Sequence, residues 1–427
     1  MDRESFPRLL SLPFFNFHRG PFYVLLGFLW SLAACGLCQQ IDKKADPSLK
    51  TAVNAPSPDS EKYGTPKPGE VRALWVTRWN YKSASDIRLI MQNAAWMGCN
   101  TIYFQVRGEA TCFYPSSVDP WAWELTPGGV ESMGTDPGWD PLQTAIDEAH
   151  KRGLELHAYM NVLPAWQQEK PAPRDSGHVT IEHPDWLMVD IKGRRMDVKR
   201  EGFYIFLNPA LPEVREYLSS IFRDLAKKYP GLDGVHLDLI RYPGEVGDYS
   251  YDKGSMDLFA QYSGGKKPWE EPEKWHRWRS KNINLLVAQL ARAMHAENPS
   301  LSISAAVISD WMTAVKLKHQ RWLNWPELGL TDTLAPMAYA YDMERYEKNI
   351  KKFLVTDRPR VGRIVVGLWP AEKWRQKKWY NIETLNTQVR LARDMQADGI
   401  ALFAYIVFFP DHKPNAWARH VKVNIFK

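Results

Sequence analysis

The chain has 427 residues, of which 44% are hydrophobic and 24% are charged, a composition typical of a globular protein with a sizeable core. The net charge of +6 is modest for this length, and no block of Lys and Arg with interleaved aromatic residues is present, which argues against a nucleic-acid-binding protein. The 19 Trp and 18 Tyr are unusually many, and their flat apolar faces with polar edges suit both core packing and carbohydrate rings.

The first residues of the chain predict an export signal rather than part of the fold. Three arginines precede the apolar run PFYVLLGFLWSLAAC, which is shorter than a typical membrane span. The run ends in LAAC, and small residues directly before Cys35 resemble the lipobox of bacterial lipoproteins, in which the cysteine becomes the lipidated N-terminus. We therefore expect a lipoprotein signal peptide over 1–34 and an exported protein that is anchored to a membrane through Cys35. A plain signal peptide, or an anchor helix with an incidental cysteine, is the alternative.

A tether and one large domain are predicted after the leader. Residues 35–69 are rich in Pro, Ser, Lys and Asp and lack apolar periodicity, which predicts a disordered tether. Over 70–427, β-rich apolar runs alternate with helical segments, the order expected of parallel βα units. The predicted strands are 71–79, 101–107, 154–162, 234–242, 302–309, 333–340, 364–369 and 400–406. The predicted helices are 84–97, 141–152, 212–228, 275–296, 311–323, 345–355 and 382–396.

Eight βα repeats predict an α/β fold of the (β/α)8 TIM barrel type. The extra length lies after the third strand, at 163–211, and after the fourth, at 244–274. Both segments are expected on the C-terminal rim, where barrel enzymes build their sites. An open doubly wound sheet is the alternative fold, and the absence of a Gly-rich loop after the first strand disfavours it.

The most informative motif is LDGVHLDLIRYPG, at 232–244. It predicts a strand that brings Asp238, Arg241 and Tyr242 to its C-terminal end, where a Pro-Gly pair stops it. Alternation along the strand places Asp238 on the opposite face from the neighbouring aliphatic residues. A carboxylate at the mouth of a barrel, flanked by a cation and a phenol, suits the chemistry of sugars. A structural carboxylate bonded to Arg107 or Arg241 is the alternative.

Several runs resemble a known family of barrel proteins. They are RALWVTRWN, QVRGEATCFYPSSVDPW, DPLQTAIDEAHKRGLELHAYMN, LNPALPEVREYL and DGVHLDLIRYP. Together they are similar to the bacterial glycosyl-hydrolase-like family ten, whose members are often lipid-anchored and include hydrolases of peptidoglycan glycan strands. The resemblance is densest between Val71 and Tyr242. It implies a barrel glycosidase of the cell envelope.

A glycosidase needs two carboxyl groups, and Asp238 supplies the first. Its surroundings also resemble the fourth strand of α-amylase-like barrels, where the Asp is the nucleophile. Chitinase-type barrels carry a Glu two residues further on, a position that is Ile240 here, so that mechanism is not carried over. The second carboxyl group is left open between Asp310 and Asp342, which follow strands five and six, and Glu109, which follows strand two.

Other side chains near the strand ends are expected to hold the substrate, because Arg, Asn, Tyr and Trp bind sugar hydroxyls and ring faces. Arg107 as an ion-pair partner and Trp369 as core are the structural alternatives. We expect neither a cofactor nor a metal, since no HExxH or paired CxxC motif is present, and calcium on the acidic loop 248–257 has little support. The predicted substrate-binding residues are Arg107, Glu109, Asn161, Arg241, Tyr242, Tyr339, Trp369 and Tyr405.

The expected function is therefore a lipid-anchored glycoside hydrolase with a carbohydrate partner, acting on peptidoglycan or another bacterial glycan. A catalytically inactive carbohydrate-binding lipoprotein on the same barrel is a second possibility, because no clear Glu marks the acid. A barrel hydrolase or lyase that acts on a different anionic substrate is a third.

Overall fold

The computed structural model describes residues 63, 68–244, 247–340, 342–370 and 381–427. The expected signal peptide, Cys35 and almost all of the expected tether lie outside these residues. Tyr63 falls within the expected tether, but it is buried against the folded domain, where its backbone carbonyl accepts a hydrogen bond from Arg393 Nη1 at 2.8 Å. Within the described part of the chain, no helix is both long enough and apolar enough to cross a membrane.

Eight parallel strands form a closed barrel, which confirms the predicted (β/α)8 fold. Numbered along the chain, the strands are β1 (Val71–Val76), β2 (Thr101–Arg107), β3 (Glu155–Asn161), β4 (Pro164–Trp166), β5 (Ile205–Phe206), β6 (Gly234–Asp238), β7 (Ser302–Ile308), β8 (Thr333–Met337), β9 (Arg363–Leu368) and β10 (Gly399–Leu402). Around the barrel they follow the order β1-β10-β9-β8-β7-β6-β3-β2. The remaining two, β4 and β5, pair in a separate antiparallel sheet.

Helices connect the strands, and short-range signals set their ends. Helix α1 begins after Ser83, whose side chain accepts from the backbone of Asp86, and ends at Gly98, whose φ of +92° favours glycine. A side chain at Gly98 would also meet the carbonyl oxygen of Phe426. The α-helices are α1 (Ala84–Met97), α2 (Pro141–His150), α3 (Val179–Glu182), α4 (Val198–Glu201), α5 (Pro212–Lys228), α6 (Lys253–Ser263), α7 (Pro272–Glu297), α8 (Trp311–Lys316), α9 (Met343–Lys351), α10 (Ile382–Asp394), α11 (Tyr405–Phe408) and α12 (Ala416–His420).

The segments expected as rim insertions contain their own secondary structure. Between β3 and α5 the chain forms the β4–β5 sheet and the short helices α3 and α4. After β6 it forms α6 before the long helix α7. The two insertions touch where Asp190 bridges to Tyr249. Since both follow the C-terminal ends of barrel strands, they lie on the side of the barrel that carries the site.

Among the described residues, two hydrophobic layers are built on the barrel strands, and a third, smaller cluster lies around Phe259 and Trp275. The larger layer lies between the barrel and the helices and contains the outward-facing side chains of the strands, such as Phe104, Leu237 and Val366. The smaller layer fills the barrel and includes Trp75 and Tyr103. The alternation of strand side chains between these layers follows from the pleat, so the residues that precede Asp238 by two, four and so on share its inward face.

His236 is a packing residue inside the barrel. The indole Nε1 of Trp75 donates to His236 Nε2 at 3.0 Å, so the ring proton lies on Nδ1, which is 2.8 Å from Ser304 Oγ. The Tyr103 ring stacks on the imidazole at 3.8 Å. Burial, with a smaller effect from His157, lowers the pKa of His236 well below its usual value. The imidazole is therefore neutral and fixed, and it fills the barrel below the site.

Several strands end earlier in the chain than predicted. Strand β6 was expected to reach Tyr242 but ends at Asp238, because Leu239 adopts a positive φ of +51° that no strand accommodates. Strand β10 was expected to reach Ile406, yet it ends at Leu402 and the chain turns into α11 at Tyr405. Strand β1 gives way to a short 3-10 turn at Arg78–Asn80.

Candidate active site

Asp238 is held from two sides at the C-terminal end of β6. Its Oδ2 accepts from Tyr159 Oη at 2.9 Å and its Oδ1 accepts from the backbone N–H of Leu239 at 2.6 Å. Arg241 Nη1 lies 3.7 Å from Oδ1. Burial raises the pKa of Asp238, whereas the charge of Arg241 and the two hydrogen bonds oppose that rise. The result is a fixed, largely dehydrated carboxyl group whose pKa is raised by burial, although its three partners favour the ionised form.

Polar atoms beside Asp238 remain open. Asn161 pairs with Asp238 in the register of β3 and β6, and within the described residues its buried Oδ1 has no hydrogen-bond partner. The buried Nη1 of Arg241 likewise lacks a hydrogen-bond partner in the part of the chain that the structure describes. Buried polar atoms without partners are rare and costly, and a bound ligand is one common reason for them. Both residues were predicted to bind substrate, and the barrel brings both to Asp238.

An aromatic wall stands on the other side of the mouth. The Tyr339 ring lies 5.7 Å from Trp369 and 5.9 Å from Phe403, centroid to centroid. All three residues follow the ends of β8, β9 and β10, and all are only partly buried. Burial and then the charge of Asp238 raise the pKa of the Tyr339 phenol well above its usual value, so Tyr339 is within electrostatic reach of the carboxylate. Tyr339 and Trp369 therefore line the same mouth as Asp238.

Arg107 acts in the structure as an ion-pair partner. Its Nε donates to Asp119 Oδ2 at 2.7 Å, and its Nη1 donates to the carbonyl oxygens of Asn161 at 2.5 Å and Val162 at 3.0 Å. The side chain is fully buried. These bonds fasten the end of β2 to the end of β3. They position Asn161 and give Arg107 the ion-pair role of the structural alternative, while its buried Nη2 has no hydrogen-bond partner among the described residues, so contact with substrate stays a prediction.

A second buried cluster of charged groups lies beyond β1 and β2. Arg78 Nε donates to Glu124 Oε1 at 2.9 Å and Arg78 Nη1 to Tyr204 Oη at 3.1 Å. Glu109 accepts from Trp123 Nε1 at 3.0 Å and from the backbone N–H of Gln167 at 2.9 Å. This cluster joins the first strands to the insertion after β3.

The cluster reaches towards Asp238 through two phenols. The Tyr204 hydroxyl contacts Arg78, and Tyr204 also contributes to the raised pKa of Tyr159, after burial and Asp238. Tyr159 in turn donates to Asp238. The ionisable groups at the ends of β1, β2, β3 and β6 thus form one connected set at the barrel mouth.

Asp310 and Asp342 cap helices. Asp310 accepts from the backbone of Thr313 at 2.8 Å at the start of α8, and Asp342 accepts from the backbone of Arg345 at 2.7 Å at the start of α9. Burial raises the pKa of Asp310, but the hydrogen bonds from Thr313 and the nearby cations outweigh it, so that the pKa is lowered. Asp342 is exposed. A carboxylate with a lowered pKa is a poor proton donor at neutral pH.

The contacts of Tyr242 and Tyr405 are to groups other than Asp238. The Tyr242 hydroxyl lies 3.3 Å from Ser250 Oγ, and the ring packs edge-on against His319. Tyr405 opens α11 instead of ending a strand, and its hydroxyl accepts from Asn93 Nδ2 of α1 at 2.8 Å. Their expected role in substrate binding stays a prediction.

Three residues of the connected set were not predicted. Tyr159 precedes the predicted Asn161 by two positions, so the strand period alone would have placed it on the same inward face. Glu124 follows the run QVRGEATCFYPSSVDPW, and Tyr204 lies in the insertion, where no periodic pattern marks an inward side chain.

Metal ligands are not assembled in the described ranges. These residues include no group of three or more His, Cys, Asp or Glu side chains arranged to hold a metal ion. In the acidic loop, Asp248 pairs with Arg279, Asp252 caps α6, and Asp257 pairs with Lys253 at 2.5 Å.

Two bacterial proteins are similar in sequence to this chain. Glycosyl hydrolase DigH of Escherichia coli is 26% identical over 298 residues, which cover 64% of this chain and 62% of that protein. Glycosyl hydrolase YngK of Bacillus subtilis is 28% identical over 258 residues, which cover 57% of this chain and 46% of that protein. The chain therefore spans less than two thirds of the length of either relative.

Solved structures share the fold at low sequence identity. The glycoside hydrolase domain of PgaB (BpsB) from Bordetella bronchiseptica superposes with a TM-score of 0.56 at 15% identity, covering 81% of this chain and 97% of that one. The catalytic domain of β-amylase from Paenibacillus polymyxa gives a TM-score of 0.59 at 10% identity, covering 85% of this chain and 99% of that one. A family model described as glycosyl hydrolase-like 10 matches residues 70–379. Because this match covers most of the chain, the protein belongs to the glycosyl hydrolase-like 10 family.

Proposed function

We propose that this protein is a glycoside hydrolase of the cell envelope that cleaves bacterial glycan, with the glycan strands of peptidoglycan as the first substrate to test. The observation that carries the proposal is Asp238, a buried carboxyl group fixed by Tyr159 and Leu239 at the mouth of the barrel. Membership of a glycosyl hydrolase-like family and two relatives named glycosyl hydrolases support the reaction class.

Asp238 serves as the anionic member of a carboxyl pair. An oxocarbenium-like transition state places positive charge on the anomeric carbon, and a fixed carboxylate in a poorly hydrated site stabilises that charge strongly. The Tyr159 hydroxyl, the Leu239 N–H and the Arg241 guanidinium hold the anion against the effect of burial. Asp238 then attacks the anomeric carbon directly or activates a water molecule, and the choice determines whether configuration is retained or inverted.

Two features of the mouth suit a sugar as the ligand. Tyr339 and Trp369 offer partly buried aromatic faces, on which a pyranose ring stacks through its C–H groups. The open atoms, Asn161 Oδ1 and Arg241 Nη1, provide one acceptor and one donor for the hydroxyl or acetamido groups of that ring.

Peptidoglycan as the substrate and the cell envelope as the location are proposed from the sequence. The resemblance to lipid-anchored glycan hydrolases and the lipobox-like ending at Cys35 support both. A lipidated Cys35 would keep the enzyme at a membrane surface close to cell-wall glycan. Mass spectrometry of the mature N-terminus is expected to find a diacylglyceryl group on Cys35. An unmodified N-terminus, or one far from Cys35, contradicts the anchor without touching the barrel chemistry.

A carbohydrate-binding protein without activity is the second candidate. It is favoured by the two carboxylates expected as proton donors, because Asp310 and Asp342 both serve as helix N-caps. A barrel that holds glycan but has no proton donor would bind without cleaving.

The replacement Asp238→Asn separates these two functions. It keeps shape and hydrogen bonding but removes the charge, so turnover of glycan stripped of its peptides should fall by several orders of magnitude while binding persists. Asp332→Asn is the control, since Asp332 also accepts a backbone N–H, that of Ile303 at 2.8 Å, but at the opposite end of the barrel. Its turnover should match that of the wild type.

Product analysis and binding are measured on the same preparations. Near wild-type turnover in Asp238→Asn removes Asp238 from the mechanism. A wild-type protein that binds the glycan but releases no product supports the binding function instead.

A further inference from the structure

A glycosidase needs two carboxyl groups, of which Asp238 is proposed as one, and the geometry of Glu124 identifies a candidate for the other. Glu124 lies in a 3-10 turn, Trp123–Leu125, in the long loop after β2. Its side chain is only 3% exposed, as expected of a carboxyl group that must be shielded from water to hold a proton. It contacts Arg78 through a single oxygen, Oε1, at 2.9 Å.

The other oxygen of Glu124 is open. In the described residues, buried Glu124 Oε2 and buried Arg78 Nη2 both lack a hydrogen-bond partner. Nε and Nη2 lie on the same edge of a guanidinium group, and that edge usually holds both oxygens of a carboxylate. Here one of the two bonds is made and the other is not. A buried polar atom left without a partner is unfavourable, so a structural ion pair alone does not explain the arrangement.

Two neighbouring carboxyl groups differ in how they are held. Glu109 accepts from Trp123, Gln167 and Gln168, which favours its charged form even though burial raises its pKa. Burial raises the pKa of Glu124 to about 7, the charge of Glu109 adds to the rise, and Arg78 opposes it. The pKa values of both carboxyl groups are raised, but only Glu109 has three donors that oppose the rise, and neighbouring carboxyl groups in unlike environments are typical of acid–base sites.

The open oxygen is linked to Asp238 through a chain of neighbouring side chains. Arg78 contacts Tyr204, Tyr204 acts electrostatically on Tyr159, and Tyr159 donates to Asp238. Beside Glu124, the indoles of Trp79 and Trp123 lie 6.0 Å apart and are only partly buried. They provide an aromatic face for a sugar ring next to the carboxyl group.

We infer that Glu124 is the proton donor of the proposed glycosidase, and that Arg78 is the residue that positions it. In the step, the bond between the anomeric carbon and the glycosidic oxygen breaks and its electron pair stays on that oxygen. The proton of Glu124 moves to the same oxygen, so the leaving sugar departs as a neutral alcohol. Asp238, directly or through a water molecule that it deprotonates, supplies the electrons to the anomeric carbon. If Asp238 attacks directly, Glu124 then takes a proton from a water molecule, whose oxygen attacks the anomeric carbon and breaks its bond to Asp238. If Asp238 instead deprotonates the attacking water, Asp238 passes that proton through solvent back to Glu124. The inference rests on the proposed function.

The test uses the full chain and two substrates that differ in their need for an acid. Glycan stripped of its peptides has a sugar hydroxyl as leaving group and requires protonation, whereas a dinitrophenyl glycoside of the same sugar does not. Glu124→Gln keeps the contact with Arg78 but has no proton to give. We expect kcat/KM for the glycan to fall by about 10²–10⁴-fold. The kcat/KM for the dinitrophenyl glycoside, which reports cleavage of the glycosidic bond, should change by less than about tenfold, because that step draws little on acid catalysis.

The pH profile gives a second readout that a structural role would not change. If Glu124 donates the proton, the activity of the wild type on glycan falls as the pH rises through the pKa of Glu124, near 7. Glu124→Gln should lose this alkaline limb. Glu201→Gln is the matched control, because Glu201 is also buried and pairs with a guanidinium through Oε1, that of Arg200 at 2.8 Å. It should keep both turnover and pH profile.

The outcomes distinguish a wrong assignment of the proton donor from a wrong proposed function. If the wild type cleaves neither substrate, the glycosidase function fails and the donor with it. If the wild type cleaves both and Glu124→Gln loses activity equally on both, Glu124 is structural and only the inference is overturned. If Glu109→Gln, rather than Glu124→Gln, loses activity on the glycan but keeps it on the dinitrophenyl glycoside, the proton donor is Glu109 and the inference is overturned. Should Glu124→Gln fail to fold, Glu124→Asp, which retracts the carboxyl group by one methylene, should show the same dependence.

Discussion

We expect the hydroxyl of Tyr159 to set the acid limit of activity, because it donates directly to the carboxyl group that must be ionised in the proposed mechanism. Tyr159→Phe removes only that donor, 2.9 Å from Asp238 Oδ2, and keeps the ring in the barrel. The pKa of Asp238 is already raised by burial, and the Tyr159 hydrogen bond is one of the groups that lower it. Without this bond the pKa rises further, and the ionised, active form is lost at a higher pH.

The size of the shift follows from the strength of the bond. A hydrogen bond to a charged group contributes about 1.5–3 kcal/mol, and one pKa unit corresponds to about 1.4 kcal/mol. The acid limb of kcat/KM should therefore move up by about one to two pH units, while the rate on the plateau changes less. The shift is measured as the acid midpoint of kcat/KM against pH on glycan, for the variant and the wild type.

Tyr346→Phe is the matched control for this measurement. Tyr346 is also buried, and its hydroxyl also donates a hydrogen bond of 2.9 Å, but to the carbonyl oxygen of Gln388 between α9 and α10. It should lower stability modestly and leave the pH profile in place. An acid midpoint that stays unchanged in Tyr159→Phe, or moves down, refutes the role of this bond and the assignment of the acid limb to Asp238.

Two further predictions concern stability. Arg393→Met breaks a buried pair in which Nε and Nη2 bind both oxygens of Glu70. The free energy of unfolding, measured in denaturant titrations, should therefore fall by about 3–5 kcal/mol. A loss below about 1 kcal/mol contradicts the importance of this pair. Gly234→Ala places a methyl group 2.5 Å from the His157 ring inside the barrel and should lower the free energy of unfolding by about 1–3 kcal/mol. Gly231→Ala, whose nearest neighbour is at 3.7 Å, should lower it little. Equal melting temperatures for the two variants count against tight packing at Gly234.

The barrel could be predicted because its signals are local. Helix α1 begins and ends where the sequence predicts, since Ser83 and Gly98 act through their own backbone neighbourhood. The bounds of β2 and α5 are also as predicted. Alternation of apolar strands with amphipathic helices needs no information about distant contacts.

The rim was harder to predict because its contacts are distant in sequence. Arg78 meets Glu124 46 residues later and Tyr204 126 residues later, and no local pattern indicates either contact. A carboxylate after a strand also has two physical uses that look alike in sequence. Asp310 and Asp342 sit where a proton donor was expected, but the same position is the N-cap of the following helix.

The buried pair of Arg393 and Glu70 also determines how the domain faces its surroundings. Arg393 binds the carbonyl oxygens of Tyr63 and Ile425, so the chain just before β1 and the chain near Phe426 are fastened at one place. That place is next to the start of β1, whereas Asp238 lies at the far end of the parallel strands. Any anchor or partner joined ahead of Tyr63 is therefore attached at the back of the domain. The barrel mouth then opens on the side away from that attachment point.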